Sequence, residues 1–223
     1  GALEQLTAAI EERRQAGASP SELARLHYVA GGLLVERGDD RAAESHLRRA
    51  TELDPGLFDA RVKLANAVAR QRRFAEAVEL YDQALAERPG DRELTLKRAT
   101  ALLNMGRQSE AIDGLERLLA AEPRDPVLHV RLAEALEAAG RRGDARERYR
   151  RALELPLDTP EAAQIQEGLG DFFRRGGEAE AALAAYERAL SLDPARISTR
   201  LDRASLLGQL GRFEAAAAEY AGI

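Results

Sequence analysis

Residues 61–90 read RVKLANAVARQRRFAEAVELYDQALAERPG, and this stretch decides the fold. Alanine and larger apolar residues recur at helical spacing on both sides of a short polar turn, which predicts two amphipathic helices joined as a hairpin. Pro89 follows the second helix and stops it. A shift of 34 residues in either direction finds nearly the same pattern, and this is the period of a known class of two-helix repeat. The sequence therefore predicts an open stack of helical hairpins.

This repeat divides the whole chain. We predict an N-terminal helix, which is a partial repeat or a cap, followed by six repeats, of which the last is truncated. Their ranges are 1–20 for the N-terminal helix and 24–57, 58–91, 92–125, 126–162, 163–196 and 197–223 for the repeats. Repeat four includes three extra residues near Pro156 and Pro160, and we expect this insertion to change the local superhelical angle. Ser19, Pro20 and Glu22 have the spacing of a capping box at the start of a helix.

Three kinds of residue recur at fixed offsets, and each predicts a contact. A small residue in the first helix lets the partner helix approach closely: Gly31, Ala65, Ala99, Ala133, Gly170 and Ala204. A large residue in the second helix fills the space beside it: Leu47, Tyr81, Leu115, Tyr149, Tyr186 and Tyr220. A glycine that ends the first helix is expected to adopt the left-handed conformation: Gly38, Gly106, Gly140, Gly177 and Gly211.

These residue types at these offsets, over about residues 24–223, resemble the tetratricopeptide repeat family. The resemblance implies an all-α fold, a right-handed superhelical α-solenoid of stacked antiparallel helix pairs. The chain departs from the family pattern in three ways. No repeat has the family's tryptophan in its first helix, Asp40 stands where an aromatic residue is usual, and Arg72 stands where the turn glycine is usual.

Composition disfavours several classes of protein. The formal net charge is −5 and the sequence pI is about 5.5, whereas a general nucleic-acid binder carries a basic excess, so we expect no nucleic-acid partner. The chain has no cysteine, which excludes disulfides and thiolate metal sites. No apolar run is long enough to span a bilayer, so we expect no direct membrane insertion. The Ala- and Arg-rich composition suggests a bacterial source, and the compartment is left open between cytoplasm and periplasm.

The sequence contains no catalytic constellation. It has no nucleophile elbow, no phosphate-binding loop and no dinucleotide fingerprint. The three histidines, His27, His46 and His129, are expected to lie far apart in the repeat lattice and to be ordinary packing or surface residues. We therefore predict a protein that is not an enzyme and that needs no cofactor and no metal.

Partner-binding residues follow from the resemblance, since in this family the first helices line a concave groove in which partner segments dock. One inward repeat position holds Lys63, Lys97 and Arg131, a second holds Asn66, Thr100 and Glu134, and a third holds Arg70 and Asn104. The cations would favour an acidic peptide, and the amide and hydroxyl groups can bond its backbone. In an opposing interpretation, Asp59 and Glu93 pair with the two lysines at i,i+4 and cancel their charge.

We therefore predict a non-catalytic protein–protein interaction scaffold that binds a peptide or partner segment in the concave groove. Two alternatives remain open: a substrate-recruiting or regulatory region of a larger enzyme, and a structural part of an envelope or secretion assembly. The chain begins without methionine and stops inside a repeat at Ile223, so we expect part of a longer protein. The face formed by Ala216, Tyr220 and Ile223 predicts self-association through an open C-terminal repeat.

Overall fold

A computed structural model of the chain describes residues 2–222. Over that range every regular element is an α-helix, and thirteen are present. Their bounds are α1 Ala2–Gln15, α2 Pro20–Glu36, α3 Asp40–Leu53, α4 Phe58–Arg70, α5 Phe74–Glu87, α6 Arg92–Asn104, α7 Gln108–Ala121, α8 Pro126–Ala138, α9 Arg142–Glu154, α10 Thr159–Arg175, α11 Ala179–Leu192, α12 Ile197–Gln209 and α13 Phe213–Ala221.

The helices form two compact units, one up to Leu118 and one from Leu119 onward. In the first unit, consecutive helices pack in order from α1 against α2 to α5 against α6. In the second unit, consecutive helices pack in order from α8 against α9 to α12 against α13. The predicted all-α array of helical hairpins is confirmed. The exact repeat boundaries stay a prediction, because helix ends do not fix where a repeat begins.

Polar side chains start the helices and prolines follow several of them. The Ser19 hydroxyl accepts from the Glu22 backbone N–H at 3.2 Å, as predicted, and Pro20 is the first residue of α2. The Glu22 carboxylate, however, pairs with Arg13 Nη1 at 3.1 Å, so no complete capping box forms there. A complete box forms instead at Asp158 and Glu161, before α10. The helices α3, α5, α7, α9 and α11 each end two residues before a proline: Pro55, Pro89, Pro123, Pro156 and Pro194.

The predicted turn glycines have the left-handed conformation. The glycines with positive φ have values between +73° and +78°: Gly17, Gly38, Gly106, Gly140, Gly177 and Gly211. Arg72, which replaces the glycine in the second repeat, has a φ of +63°. Steric contact between a Cβ atom and the following carbonyl disfavours this conformation in all residues except glycine. The turn therefore keeps its geometry in the second repeat at the cost of backbone strain.

Small and large residues interlock as the repeat predicts. A Cβ atom on Gly31 would lie 2.6 Å from Leu47 Cγ, and one on Gly170 would lie 2.5 Å from Tyr186 Cε1, so neither position accepts a side chain without rearrangement. Leu47 and Tyr186 are fully buried. Tyr220 differs from the other large residues because 52% of it is exposed. It lies on α13, the last helix in the described range, and Ile223 of the same predicted face lies outside the described residues.

The three-residue insertion lengthens a helix. The helix α10 has 17 residues, whereas α4, α6, α8 and α12 have 13 each. Asp158 caps α10, and Thr159 and Pro160 begin it, so the extra residues form additional helix at its N-terminus. The predicted change in superhelical angle at this point stays a prediction.

Charged side chains connect successive hairpins. The Glu44 carboxylate of α3 accepts from Gln71 Nε2 at 2.7 Å, from Arg73 Nη1 at 2.7 Å and from Arg48 Nε at 2.8 Å. Only 13% of the Glu44 side chain is exposed. Although burial alone would raise the pKa of this carboxyl, the hydrogen bonds from Arg73, Arg48 and Gln71 lower the pKa to about 2. Glu44 therefore connects the first full hairpin to the second.

Within residues 2–222, no helix combines the length and the apolar character that crossing a membrane would require.

Candidate functional site

A cavity of about 340 Å³ lies between the first helices α4 and α6 of two successive hairpins in the first unit. Its lining consists of Asn66, Ala69, Arg70, Phe74, Tyr81, Lys97, Thr100 and Ala101. Four of the residues predicted to bind a partner therefore meet in one place: Asn66, Arg70, Lys97 and Thr100. The resemblance predicted that these residues lie on first helices of the repeats. In the structure, their side chains line the same cavity.

Lys63 has a separate environment on α4. Its Nζ atom lies 5.3 Å from the centroid of the Tyr28 ring, a cation–π contact between the first helices of two hairpins. A Cβ atom on Gly32 would lie 3.2 Å from the same Nζ, so the absence of a side chain at Gly32 gives the ammonium its place. Within the described range no carboxylate lies within salt-bridge distance of Lys63, so the suggested pair with Asp59 does not form.

Lys97 does form the suggested pair. Its Nζ lies 2.6 Å from Glu93 Oε1, and three quarters of the Glu93 side chain is exposed. An exposed i,i+4 pair on a helix contributes only about 0.2–0.5 kcal/mol. Because the pair is weak and solvated, a partner carboxylate can replace Glu93 beside Lys97 at small cost.

Arg70 and Asn66 are oriented by neighbouring side chains. The Arg70 guanidinium binds Asp40 of α3 in a bidentate contact, with Nη2–Oδ1 at 2.6 Å and Nε–Oδ2 at 2.9 Å. The Tyr81 hydroxyl donates to Asn66 Oδ1 at 2.8 Å. Burial raises the pKa of Tyr81 to about 12, so its hydroxyl remains protonated and available as a donor. This hydrogen bond aims the Asn66 amide and leaves its NH₂ group available to a partner.

Thr100 and Asn104 form bonds within α6. The Thr100 hydroxyl donates to Leu96 O at 3.0 Å, and Asn104 Nδ2 donates to Thr100 O at 2.8 Å. Asn104 does not line the cavity that Thr100 lines. Its Oδ1 and the second hydrogen of its NH₂ group remain for the predicted contact with a partner backbone.

The other two predicted residues, Arg131 and Glu134, lie in the second unit. They pair with each other, with Arg131 Nη1–Glu134 Oε2 at 2.9 Å. Both line a cavity of about 230 Å³ between α8 and α10. The full lining is Pro126, Val127, Val130, Arg131, Glu134, Glu161, Gln164, Ile165, Glu167, Gly168 and Asp171. Most of it is apolar or acidic, so Arg131 does not continue a purely cationic row.

Apart from Glu134, sequence reasoning did not include the acidic residues of this second cavity, Glu161, Glu167 and Asp171, among the candidate sites. A signal was available, because Gly168 occupies the repeat position of Lys63 and Lys97, and Asp171 occupies that of Asn66. Asp202 occupies the lysine position of the next repeat, and its carboxyl lies near the negative charges of this cavity. Burial raises the pKa of the Asp202 carboxyl, and the nearby negative charges of Asp171 and Glu167 raise it further.

The histidine prediction was wrong for one pair. The Nδ1 atoms of His27 on α2 and His46 on α3 lie 3.1 Å apart, and their ring centroids are 5.2 Å apart. Both side chains are half-buried. Burial lowers the pKa of both imidazoles, and for His27 the charges of His46 and Arg49 lower it further. The sequence separation of 19 residues concealed the contact because it crosses the turn between the two helices of one hairpin. No set of three or more histidine, aspartate and glutamate side chains in residues 2–222 is placed to hold a metal ion.

Two family models match the chain, and both are described as tetratricopeptide repeat. One matches residues 68–129, and the other matches residues 28–92 and again residues 130–197. No curated protein matches the chain in sequence.

Solved structures of similar fold are numerous. MamA from Desulfovibrio magneticus RS-1, residues 41 to the end, superposes with a TM-score of 0.66 at 20% identity, covering 78% of this chain and 96% of that one. YrrB, described as a TPR protein with an unusual peptide-binding site, gives 0.59 at 21% identity, covering 88% and 96%. PilW, described as a widely conserved type IV pilus biogenesis factor, gives 0.71 at 18% identity, covering 89% and 91%. At these identities the likeness shows the fold alone.

Proposed function

The chain belongs to the tetratricopeptide repeat family, and on that premise we propose that it is a non-catalytic scaffold that binds a peptide or extended segment of another protein. The proposed binding surface lies on the first helices of the hairpins in the first unit. The observation that carries the proposal is the cavity between α4 and α6, on which Asn66, Arg70, Lys97 and Thr100 converge.

We propose further that the first unit prefers an acidic segment. Lys63 has no carboxylate partner within the described range, and the Lys97 pair with Glu93 is exposed and weak. A partner carboxylate would gain a charge-assisted hydrogen bond at either ammonium. The free NH₂ group of Asn66 would then bond a carbonyl of the partner backbone. Of the eight residues predicted to contact a partner, Lys63, Asn66, Arg70, Lys97, Thr100 and Asn104 serve this surface.

The experiment is a binding assay with fluorescently labelled twelve-residue peptides that differ only in the number of glutamates replaced by glutamines. We expect affinity to rise with glutamate content and to fall at least about tenfold in the double variant Lys63→Glu/Lys97→Glu. Arg41→Glu is the matched control, because Arg41 is an exposed residue of the second helix α3. Equal affinity of wild type and double variant for every peptide would overturn the acidic preference.

A second proposed role is self-association through the last hairpin. Five large apolar residues of α12 and α13 and of the turn between them are at least two-fifths exposed: Ile197, Leu201, Leu210, Phe213 and Tyr220. Exposed apolar residues clustered on one hairpin are typical of contact surfaces. Light scattering over a concentration series tests this role, with Phe213→Glu/Tyr220→Glu as the variant. A wild-type protein that stays monomeric at all concentrations would contradict it.

Two alternatives to an independent scaffold are proposed. PilW shows that this fold occurs in a pilus biogenesis factor, which supports a structural role in an envelope or secretion assembly as one alternative. The other is a substrate-recruiting or regulatory region of a larger enzyme. The complete reading frame distinguishes them, because a catalytic domain beside the repeats would support the second alternative only.

A further inference from the structure

The cavity between α8 and α10 in the second unit has an apolar floor and a polar rim. Val127, Val130 and Ile165 supply aliphatic surface. Gly168 also lines the cavity, and because glycine has no side chain, no side-chain atoms occupy the space at this position. The volume of about 230 Å³ suits one long side chain rather than a folded element.

The hydroxyl of Tyr149 makes this cavity different from its counterparts in other repeats. Tyr81 donates to Asn66 at 2.8 Å, and Tyr186 donates to Asp171 at 2.6 Å; in both pairs the acceptor lies 15 residues earlier in the chain. The residue 15 positions before Tyr149 is Glu134, which pairs instead with Arg131.

The Tyr149 hydroxyl consequently has no hydrogen-bond partner among residues 2–222, although only 1% of the residue is exposed. Its oxygen would lie 3.8 Å from a Cβ atom on Gly168, which places it beneath the cavity lining. Burial raises the pKa of Tyr149, and the charges of Glu134 and Glu137 raise it further, so the hydroxyl stays neutral. Its oxygen is not one of the side-chain atoms that are both sealed from solvent and unpartnered, so it keeps a small opening through which a ligand can donate to it.

The rim is acidic. Four carboxylates line the cavity, those of Glu134, Glu161, Glu167 and Asp171, against the single guanidinium of Arg131. Three of them already contact an arginine: Glu134 pairs with Arg131 at 2.9 Å, Asp171 with Arg174 at 3.1 Å, and Glu167 with Arg196. A carboxylate has several acceptor positions, so these contacts leave room for a further donor.

We propose that this cavity receives an arginine side chain from the bound partner segment. The methylene stem would cover Val127, Val130 and Ile165, as long cationic side chains commonly do on apolar surface. The guanidinium would donate to the carboxylates of the rim and to the Tyr149 oxygen. Arginine fits better than lysine because its planar group presents five donors to acceptors that lie in different directions. The inference rests on the proposed peptide-binding function only in that the arginine belongs to a protein segment.

The test uses two-dimensional NMR spectra of the whole chain titrated with the tripeptide Ac-Gly-Arg-Gly-NH₂. The control peptide carries citrulline, which has nearly the same shape and no charge. We expect saturable shifts confined to α8, α10 and the amides beside Tyr149, with millimolar affinity because a single side chain makes few contacts. The citrulline peptide should bind at least about tenfold more weakly. Absence of saturable shifts with the arginine peptide would overturn the proposal.

Two variants separate binding from folding. Gly168→Leu fills the cavity, and its Cβ atom would lie 3.7 Å from Tyr149 Cε1, an ordinary contact, while replacing a glycine inside a helix favours that helix. We expect Gly168→Leu to abolish the shifts, whereas Gly208→Leu on α12, where a Cβ atom would meet nothing within 4 Å, should leave them unchanged. Tyr149→Phe loses no internal hydrogen bond, so we expect wild-type stability and weaker arginine binding. Undiminished binding by Gly168→Leu would contradict the inference.

Failure here is distinguishable from failure of the proposed function. The glutamate-dependent assay reports on Lys63 and Lys97 in the first unit, whereas the arginine titration reports on α8 and α10 in the second. If the acidic peptides bind and the arginine peptide does not, the arginine cavity is wrong and the scaffold function stands. If the arginine peptide binds and no acidic peptide does, the cavity stands and the acidic preference falls.

Discussion

At the scale of single residues, Arg72 shows how strongly the turn geometry is required. It is the only non-glycine residue with positive φ in the described range, and it occupies the position that glycine occupies in the other repeats. The left-handed conformation costs a side-chain-bearing residue about 1–2 kcal/mol. The surrounding hairpin, whose two helices are packed against each other, therefore imposes the turn even where the sequence does not favour it.

We expect Arg72→Gly to stabilise the protein by about 0.5–1 kcal/mol, because removal of the strain outweighs the greater freedom that glycine gives the unfolded chain. Urea unfolding followed by circular dichroism measures the change. The matched control is Arg37→Gly, since Arg37 is an exposed arginine in the preceding turn with a φ of −83°. That change should destabilise, and stabilisation by both variants would show that the φ of Arg72 is not the cause.

The contact between His27 and His46 predicts a pH dependence. Both imidazoles have a pKa below 6.5 in the folded protein, so below that pH the unfolded chain binds more protons than the folded chain. Stability should consequently fall as the pH drops below 6.5, and level off once the folded imidazoles are also protonated. We expect His46→Gln to reduce this part of the pH dependence without abolishing it, because burial still lowers the pKa of His27, as measured by urea midpoints from pH 8 to pH 5. Equal slopes for wild type and variant in that range would contradict the prediction.

Residue-scale contacts were the least predictable part of the chain. The repeat pattern gives the helix and the face on which a side chain lies, and Asn66, Lys97 and Thr100, which it puts on first helices, line one cavity. It does not give the rotamer or the partner. Alternative pairs differ by only about a few tenths of a kcal/mol. Such a difference decides whether Lys63 contacts Asp59 or Tyr28. It also decides whether Glu134 accepts from the Tyr149 hydroxyl or pairs with Arg131.

At the scale of helices, the Glu44 cluster joins α3 to the turn before α5. Its carboxyl has a pKa of about 2 in the folded protein and an ordinary value near 4.5, so its contribution to stability is complete above pH 4.5 and is lost as the pH falls toward 2. This acid window lies below the histidine window, so the two effects can be measured separately.

We expect Glu44→Gln to destabilise the protein at pH 7 by about 1–2 kcal/mol, because the neutral amide keeps the shape and loses charge-assisted bonds to Arg48 and Arg73. The difference from wild type should shrink between pH 4.5 and pH 2.5. Glu79→Gln on α5 is the control, since Glu79 is exposed. A loss of stability as large in Glu79→Gln as in Glu44→Gln would show that net charge, not this cluster, matters.

Helices were the most predictable part. Small and large residues at a fixed period gave the hairpins, because only that spacing lets neighbouring helices interlock without voids. Two helix ends were less predictable. At the start of α2, the Ser19 backbone N–H and the Arg13 guanidinium compete to donate to the Glu22 carboxylate. The sequence does not indicate which of the two donors forms the bond. At α10 the insertion could have formed a loop, and it formed helix because Asp158 and Glu161 together satisfy the first N–H groups.

At the scale of the whole molecule, a repeat array has no single core, since each hairpin is stabilised mainly by its neighbours. We expect Leu47→Ala, which opens space beside Gly31, to destabilise its surroundings by about 2–5 kcal/mol. Hydrogen exchange should accelerate in α2, α3 and α4 and remain unchanged in α11, α12 and α13. Ala182→Gly, made in α11, should accelerate exchange in α11, α12 and α13 and leave α2, α3 and α4 unchanged. Uniform acceleration along the chain for either variant would indicate one cooperative core.

The recurring turn has a consequence for how chains of this kind change over generations. Within the described range, six glycines and one arginine close their helices with nearly the same backbone conformation, and five prolines follow their helices at the same distance. Apart from the joint before the longer helix α10, the joints between hairpins are therefore alike. Unequal crossing-over between two such joints in the gene would insert or delete one complete hairpin and create no unfamiliar junction. Growth and shortening by whole modules is consequently an easier route to a new binding surface than gradual reshaping of an existing one.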